Sequence, residues 1–313
     1  MARRSPVSPP APAPAPDRAP PVGFPTPTQV VNAAKAVRLR KQLAAQPPSM
    51  VNLVKLAGVS LDKHGLGDHR ARVALCLYIS ASMGRLYRSG KVQELCERVL
   101  GLAVQLDDDG RCDVFTFGTG GYEEGPIDLR NYHGWVESLV RRRRLEGGTH
   151  YNKAMRAVRE HYLPEGRGKK RTSPRPDSRP VYVMFVTDGH TSDKNGTRDQ
   201  VAWSSYEPLF WQFMAIGQAR RPSGASAPPS PRPKTLFGAG RGGLMARLAA
   251  AIQMDFSFLE ELDEMGGRYL DNASFFSVAD PAELTNEQLY ELMMTEYPSW
   301  LRQATERNLI NGS

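Results

Sequence analysis

Cysteine is scarce: the chain has three in 313 residues, Cys76, Cys96 and Cys112. None forms a Cys-x-x-Cys pair, and each stands in an apolar segment. Buried free thiols are therefore expected, rather than a metal cluster or a redox couple. Long hydrophobic runs are missing too. No stretch reaches the roughly 18 uncharged apolar residues that cross a bilayer, so no helical membrane insertion is expected. The start, "MARRSPVSPPAPAPAPDRAP", has basic residues followed by prolines and no apolar helical region. It does not read as a secretory signal, and the chain is expected in the cytoplasm. There is no Gly-x-x-x-x-Gly-Lys loop to cradle phosphates, which argues against an ATPase of that kind. There is no Gly-x-Ser-x-Gly elbow either.

What is present suffices for one large α/β domain with extensions, since 40% of the residues are hydrophobic. The formal net charge is +8. Much of that excess lies in "GRGKKRTSPRPDSRP" (166–180) and "RRPSGASAPPSPRPK" (220–234), which read as loops. A basic total spread this way suggests nonspecific contact with polyanions.

Residues 1–27 are dominated by Pro and Ala and cannot bury enough apolar surface to offset their ordering entropy, so a disordered tail is expected. Residues 28–58 read as a helical segment broken at Pro47-Pro48. From residue 59 to 310 one domain is expected. Within it "ARVALCLYIS" (71–80), "CDVFTFG" (112–118), "PVYVMFVTDG" (180–189) and "PLFWQFMAIG" (208–217) read as strands, and a further short strand is expected within 268–278. Helices are expected over 90–106, 131–144, 150–163, 257–267 and 285–308, the last kinked or restarted at Pro298. This alternation predicts an α/β fold: a doubly wound, mostly parallel sheet with helices on both faces. Inserts at about 165–179 and 219–250, rich in Pro, Gly, Ser and Arg, are expected to loop out as mobile segments.

In such a sheet, ligands sit beyond the carboxyl ends of the strands. Ser80 and Ser82 follow the first strand, Thr149 lies in a Gly-Gly-Thr loop that opens a helix, and Asp188 follows "VYVMFVT". Each supplies oxygen where hard divalent cations bind. Singly, a Ser-x-Ser pair is more often a turn or cap, Gly-Gly-Thr a plain N-cap, and Asp-Gly a turn. Their combined order on one α/β pattern is far more specific.

Over residues 58–310 the sequence resembles the von Willebrand factor A (vWA) domain in its TerF-like branch, tied to bacterial tellurium-resistance and stress gene clusters. The matching text includes "ARVALCLYISASMGRLY", "FGTGGYEEGPIDLRNYHGWV", "GGTHY", "VYVMFVTDGHTSDK" and "FLEELDEMGGRYLDNASFF". The resemblance implies a metal-ion-dependent adhesion site (MIDAS) built from Asp-x-Ser-x-Ser, a later Thr and a later Asp, matched here by Ser80, Ser82, Thr149 and Asp188. Tyr78 stands at the first Asp position, and Ala81 at the common Gly position. A phenol titrates near pH 10 and brings no charge at neutral pH. The implied cofactor is one divalent cation, Mg²⁺, Mn²⁺ or Ca²⁺, held weakly or not at all. Either the domain works without metal, or another carboxylate substitutes: Glu123, Glu124, Asp193 or an acidic side chain of a protein partner. The implied function is a noncatalytic protein-interaction module. The alternative is a metal-dependent hydrolase or nucleotide-handling enzyme acting at Asp188.

Other features read more plainly. Arg141–Arg144 follow "WVESLV" and suit a solvated helix end, without the aromatic interleaving of a specific nucleic-acid site. Asp107-Asp108-Asp109 reads as a charged turn, not a calcium loop. His133, His150, His161 and His190 are scattered, with no paired nucleophile. Met293 and Met294, with Leu289 and Leu292, read as core.

Overall fold

The computed structural model describes residues 37–219, 253–254 and 256–311. The expected tail (1–27) and nearly all of the second insert (219–250) lie outside the described residues. Residues 37–44 form helix α1, and α2 (Pro48–Lys63) begins after Pro47. Pro stands in the first turn of α2, where no helical N–H partner is lost. The boundary placed between residues 58 and 59 falls inside α2.

The central sheet has six strands. They are β1 (Arg72–Tyr78), β2 (Cys112–Phe117), β3 (Gly121–Ile127), β4 (Val181–Thr187), β5 (Leu209–Ile216) and β8 (Ala273–Val278). Two short strands, β6 (Gln218–Ala219) and β7 (Gln253–Met254), pair with each other. The strand order is β3-β2-β1-β4-β5-β8. All neighbours in it are parallel except β2 and β3. β4 and β5 are buried along their whole length, as expected where helices cover both faces.

Among the described residues the helices between the strands are α3 (Gly84–Arg88), α4 (Lys91–Leu106), α5 (Trp135–Arg142), α6 (Tyr151–Tyr162), α7 (Lys194–Ser204) and α8 (Ser257–Glu264). Two more follow β8, α9 (Asn286–Met293) and α10 (Tyr297–Glu306). The chain thus restarts at Tyr297-Pro298. Helices α2, α4 and α9 form one layer, and α6, α7 and α8 the other. Thr285 and Gln288 close a capping box on α9, a device that contributes about 1 kcal/mol.

The chain enters the sheet at its centre. It builds outward through β2 and β3, then returns to build β4, β5 and β8 on the other side. Between β1 and β4 the winding direction reverses, which opens a crevice at their carboxyl ends. The strand β3 is absent from the sequence reading. Its "GYEEGPI" is polar and contains Pro126, but an edge strand tolerates a proline and leaves polar side chains in water.

The first insert, 165–179, carries definite contacts. Arg171 pairs with Glu207 at 2.9 Å and Arg175 with Glu165 at 2.7 Å. The backbone N–H of Asp177 donates to the Leu309 carbonyl.

Candidate functional site

The crevice between β1 and β4 collects all the hydroxyls singled out above. After Tyr78 the backbone runs on in the sheet direction: Ile79 N–H donates to the Phe117 carbonyl at 2.9 Å. The Ile79 carbonyl accepts from Glu146 N–H at 2.8 Å, and Ser80 bridges to Glu146. The Gly147-Gly148-Thr149 loop is thereby laid beside the end of β1. The Met83 N–H donates to Ser80 Oγ at 3.3 Å, and Tyr87 Oη to the Tyr78 carbonyl at 3.0 Å. These bonds fix the turn that holds both serines.

Ser80, Thr149 and Asp188 are buried, while Ser82 is exposed at the mouth. Ser80 Oγ and Ser82 Oγ lie 2.5 Å apart, and Ser82 Oγ donates to Asp188 Oδ2 at 2.5 Å. Asp188 Oδ1 is buried with no hydrogen-bond partner, in a residue that is 8% exposed. The Tyr78 phenol is hydrogen-bonded to Thr149 Oγ1. Its ring stacks on Phe117, with centroids 5.2 Å apart. The Thr149 carbonyl accepts from Ser192 N–H at 3.0 Å and Ser192 Oγ at 2.8 Å. Gly189, one residue past Asp188, has φ +94, and a Cβ there would sit 2.3 Å from the Phe256 ring. Only glycine lets the chain turn there.

The carboxylates considered as substitutes are engaged elsewhere. Asp193 accepts from the N–H groups of Tyr151 (3.2 Å) and Asn152 (3.1 Å), and from Thr191 Oγ1 (2.5 Å). It thus caps α6 from the neighbouring segment, where His150, the residue at the cap, makes no side-chain cap bond. Glu123 pairs with His161 at 3.0 Å. Glu124 accepts from Thr116 and from Arg143, both at 2.7 Å.

The sequence reading missed three residues of the site's surroundings. Tyr87 is one. Glu146 is the second: it accepts from Thr119 Oγ1 at 2.7 Å and Tyr122 Oη at 2.9 Å. Burial pushes its carboxyl up, and these donors outweigh burial, so the net shift is downward. Tyr151 is the third, its hydroxyl 2.5 Å from Thr187 Oγ1. Burial, with the nearby charge of Asp188 adding to it, pushes that phenol far up, so it stays neutral. None of the three lies in a spacing pattern that marks a site.

His150 and His190 flank the crevice without a hydrogen bond to its hydroxyls among the described residues. His150 lies 3.7 Å from Asp193, and His190 is exposed. Arg141 pairs with Glu137 along the exposed end of α5. Asp107 and Asp108 pair with Arg179.

The donors are of the oxygen type that hard cations take. They bring one carboxylate and three hydroxyls, and the Tyr78 phenol already engages the Thr149 hydroxyl. Among the described residues no three His, Cys, Asp or Glu side chains come together to hold a metal ion. The set therefore does not fit a tightly held divalent ion: a single negative charge offsets too little of the ion's desolvation.

The fold and this crevice define a vWA-type α/β domain. A family model described as "vWA found in TerF C terminus" matches residues 70–221 and 246–310. The match spans more than half of the chain, and the chain belongs to this vWA-TerF-like family. The uncharacterized protein YcbR of Bacillus subtilis (strain 168) is 27% identical over 259 residues, covering 82% of this chain and 88% of that protein. Similar solved structures include an aerotolerance-related membrane protein from Bacteroides fragilis (16% identity, TM-score 0.44, 72% of this chain and 98% of that one). Another is proximal thread matrix protein 1 from the mussel byssus with a zinc-occupied MIDAS motif (15%, TM-score 0.45, 72% and 47%). A third is the manganese-loaded TRAP protein of Plasmodium vivax (14%, TM-score 0.41, 67% and 69%). The chain spans about half the length of the byssus protein. No helix among the described residues is long and apolar enough to cross a membrane.

Proposed function

We propose that this chain is a noncatalytic interaction module whose strand-end face docks a protein partner, with a degenerate MIDAS at its centre. The observation that carries the reading is the pair of exchanges at the crevice. A neutral phenol stands where the family places a carboxylate, and it is bonded to the threonine that would otherwise face the ion. What is left on offer is the exposed Ser82 hydroxyl, backed by a buried carboxylate. That is a hydrogen-bonding surface. The role proposed for the chain is a cytoplasmic one in a tellurium-resistance-like stress response, which rests on the TerF-like resemblance alone. A partner's acidic side chain would supply the charge that the crevice lacks for a divalent ion.

The alternative, a metal-dependent hydrolase or nucleotide-handling enzyme, draws on the buried and unpaired Asp188 Oδ1. The two are separated by one set of measurements. Capture of a partner from the native host that persists in EDTA and is lost in Ser82→Arg supports docking without metal. Capture abolished by EDTA moves the reading to a metal-completed interface. Saturable phosphoester turnover with Mg²⁺ or Mn²⁺, lost in Asp188→Asn, overturns the noncatalytic reading.

A further inference from the structure

A second site lies away from the crevice, between α6, α7 and the turn at residues 168–170. A cavity of about 530 Å³ opens there, within the range of small-molecule sites. Its lining includes Lys153, Arg156, Lys169, Lys170 and the half-buried Trp203. Asp199 is the one carboxylate of the lining. Arg156 is offset by Glu160 at 2.8 Å, and Lys153 donates to the Thr119 carbonyl at 2.5 Å. Among the described residues, the ammonium groups of Lys169 and Lys170 have no carboxylate partner.

The turn that presents these lysines is held from below. Arg159, 1% exposed, spends its guanidinium on five bonds. Two go to Glu207 (2.7 and 2.8 Å), one to Gln200 (2.7 Å), and one each to the carbonyls of Gly168 (2.9 Å) and Lys169 (2.8 Å). Gly168 has φ +57, and a Cβ there would stand 2.5 Å from Arg156 Cγ. A buried ion pair thus fixes a left-handed turn whose two adjacent lysines line the cavity together with Lys153 and Arg156. Like charges gathered this way repel unless an anion sits among them. Trp203 adds a flat apolar surface on which a base can stack.

We propose that this cavity binds a nucleoside phosphate: the phosphates lie at Lys169 and Lys170, and the base lies against Trp203. The site is independent of the strand-end reading and needs no metal.

The test uses the full chain in EDTA, with ADP, pyrophosphate and adenosine as probes. Trp135, Trp211 and Trp300 are buried, so quenching of tryptophan fluorescence reports chiefly on Trp203. ADP should bind saturably with quenching, and more tightly than pyrophosphate or adenosine. Lys169→Glu with Lys170→Glu should weaken ADP by about tenfold or more, as expected when two charge-assisted contacts become repulsive. Trp203→Leu should abolish the quenching and weaken ADP while leaving pyrophosphate binding in place. Circular dichroism melts matching the parent show that the variants fold. No saturation up to about 5 mM ADP overturns the proposal, since such binding is weaker than any built site. So does undiminished ADP binding in either variant. Affinity for single-stranded oligonucleotides that exceeds that for ADP and grows with length overturns it in favour of a polyanion groove.

Discussion

Tyr78 and Thr149, 71 residues apart in the chain, are joined side chain to side chain in a buried hydrogen bond at the end of β1. This one contact ties the first strand to the loop that opens α6. It also decides the character of the crevice, because the phenol both withholds a charge and engages a hydroxyl.

Tyr78→Asp is therefore expected to create a metal requirement. The new carboxylate would face Asp188 across the crevice, and the two repel when no ion is present, so the metal-free variant should melt below the parent. With millimolar Mg²⁺ or Mn²⁺ the repulsion becomes shared ligation, and mass action stabilises the folded state. The variant's melting temperature should rise by about 4 °C or more, and the parent's by less than about 1 °C. Equal shifts would mean that Tyr78 does not limit metal binding.

Tyr78→Phe isolates the hydrogen bond from the charge. The ring still stacks on Phe117, and the Thr149 hydroxyl is left without its partner in a buried place. The expected loss is about 1–3 kcal/mol in urea unfolding. A variant as stable as the parent would mean that Thr149 finds another partner.

Glu207→Gln breaks the buried pair with Arg159, both side chains being 1% exposed. An uncompensated buried guanidinium costs about 3–5 kcal/mol. The double substitution Arg159→Met with Glu207→Gln should recover part of that loss, since the Arg159 charge no longer lies buried without its partner, while Arg171, which also pairs with Glu207, still loses its carboxylate. Denaturant midpoints of the single and double variants measure this directly.

A pH dependence should come from Asp263. Burial raises its pKa from 3.8 to about 7, and the charges of Glu296, Asp271 and Glu264 add to this while Arg268 opposes it. The folded state therefore holds this proton more tightly than the unfolded chain does. The stabilisation is complete below the unfolded value of 3.8 and is lost as pH rises through about 7. Asp263→Asn should flatten that fall and melt higher than the parent at pH 8. A parent and variant with parallel melting profiles between pH 4 and pH 8 would contradict the assignment.

The strongest strands were legible because β1, β4 and β5 are buried on both faces and so read as unbroken apolar runs. The helix α4 was legible because its first half buries one face; over residues 99–104 every residue is buried, between α2 and the sheet. β3 was not legible: an edge strand carries no apolar alternation, and its partner β2 supplies the order that "GYEEGPI" lacks by itself. The insert at 165–179 reads as a loop by composition. That it packs against Glu207 and Leu309 depends on residues far along the chain, which no local pattern can show.

Of the site, the sequence by itself determined the chemistry on offer. Ser80, Ser82, Thr149 and Asp188 had to lie at strand ends or a helix start, because each immediately follows a buried run or precedes an amphipathic one. That Tyr78 stands where the family pattern has a carboxylate was equally readable, since that is a matter of residue identity. Only the tertiary structure decided the pairing. It gave Asp193 to the cap of α6, Glu123 to His161 and Glu124 to Arg143, and it left one oxygen of Asp188 bare. Hydrogen bonds and ion pairs act over a few ångströms, and which groups come that close is set by strand order and helix packing. The reversal of winding between β1 and β4 is the step that brings residues 78–82, 149 and 188 to one crevice.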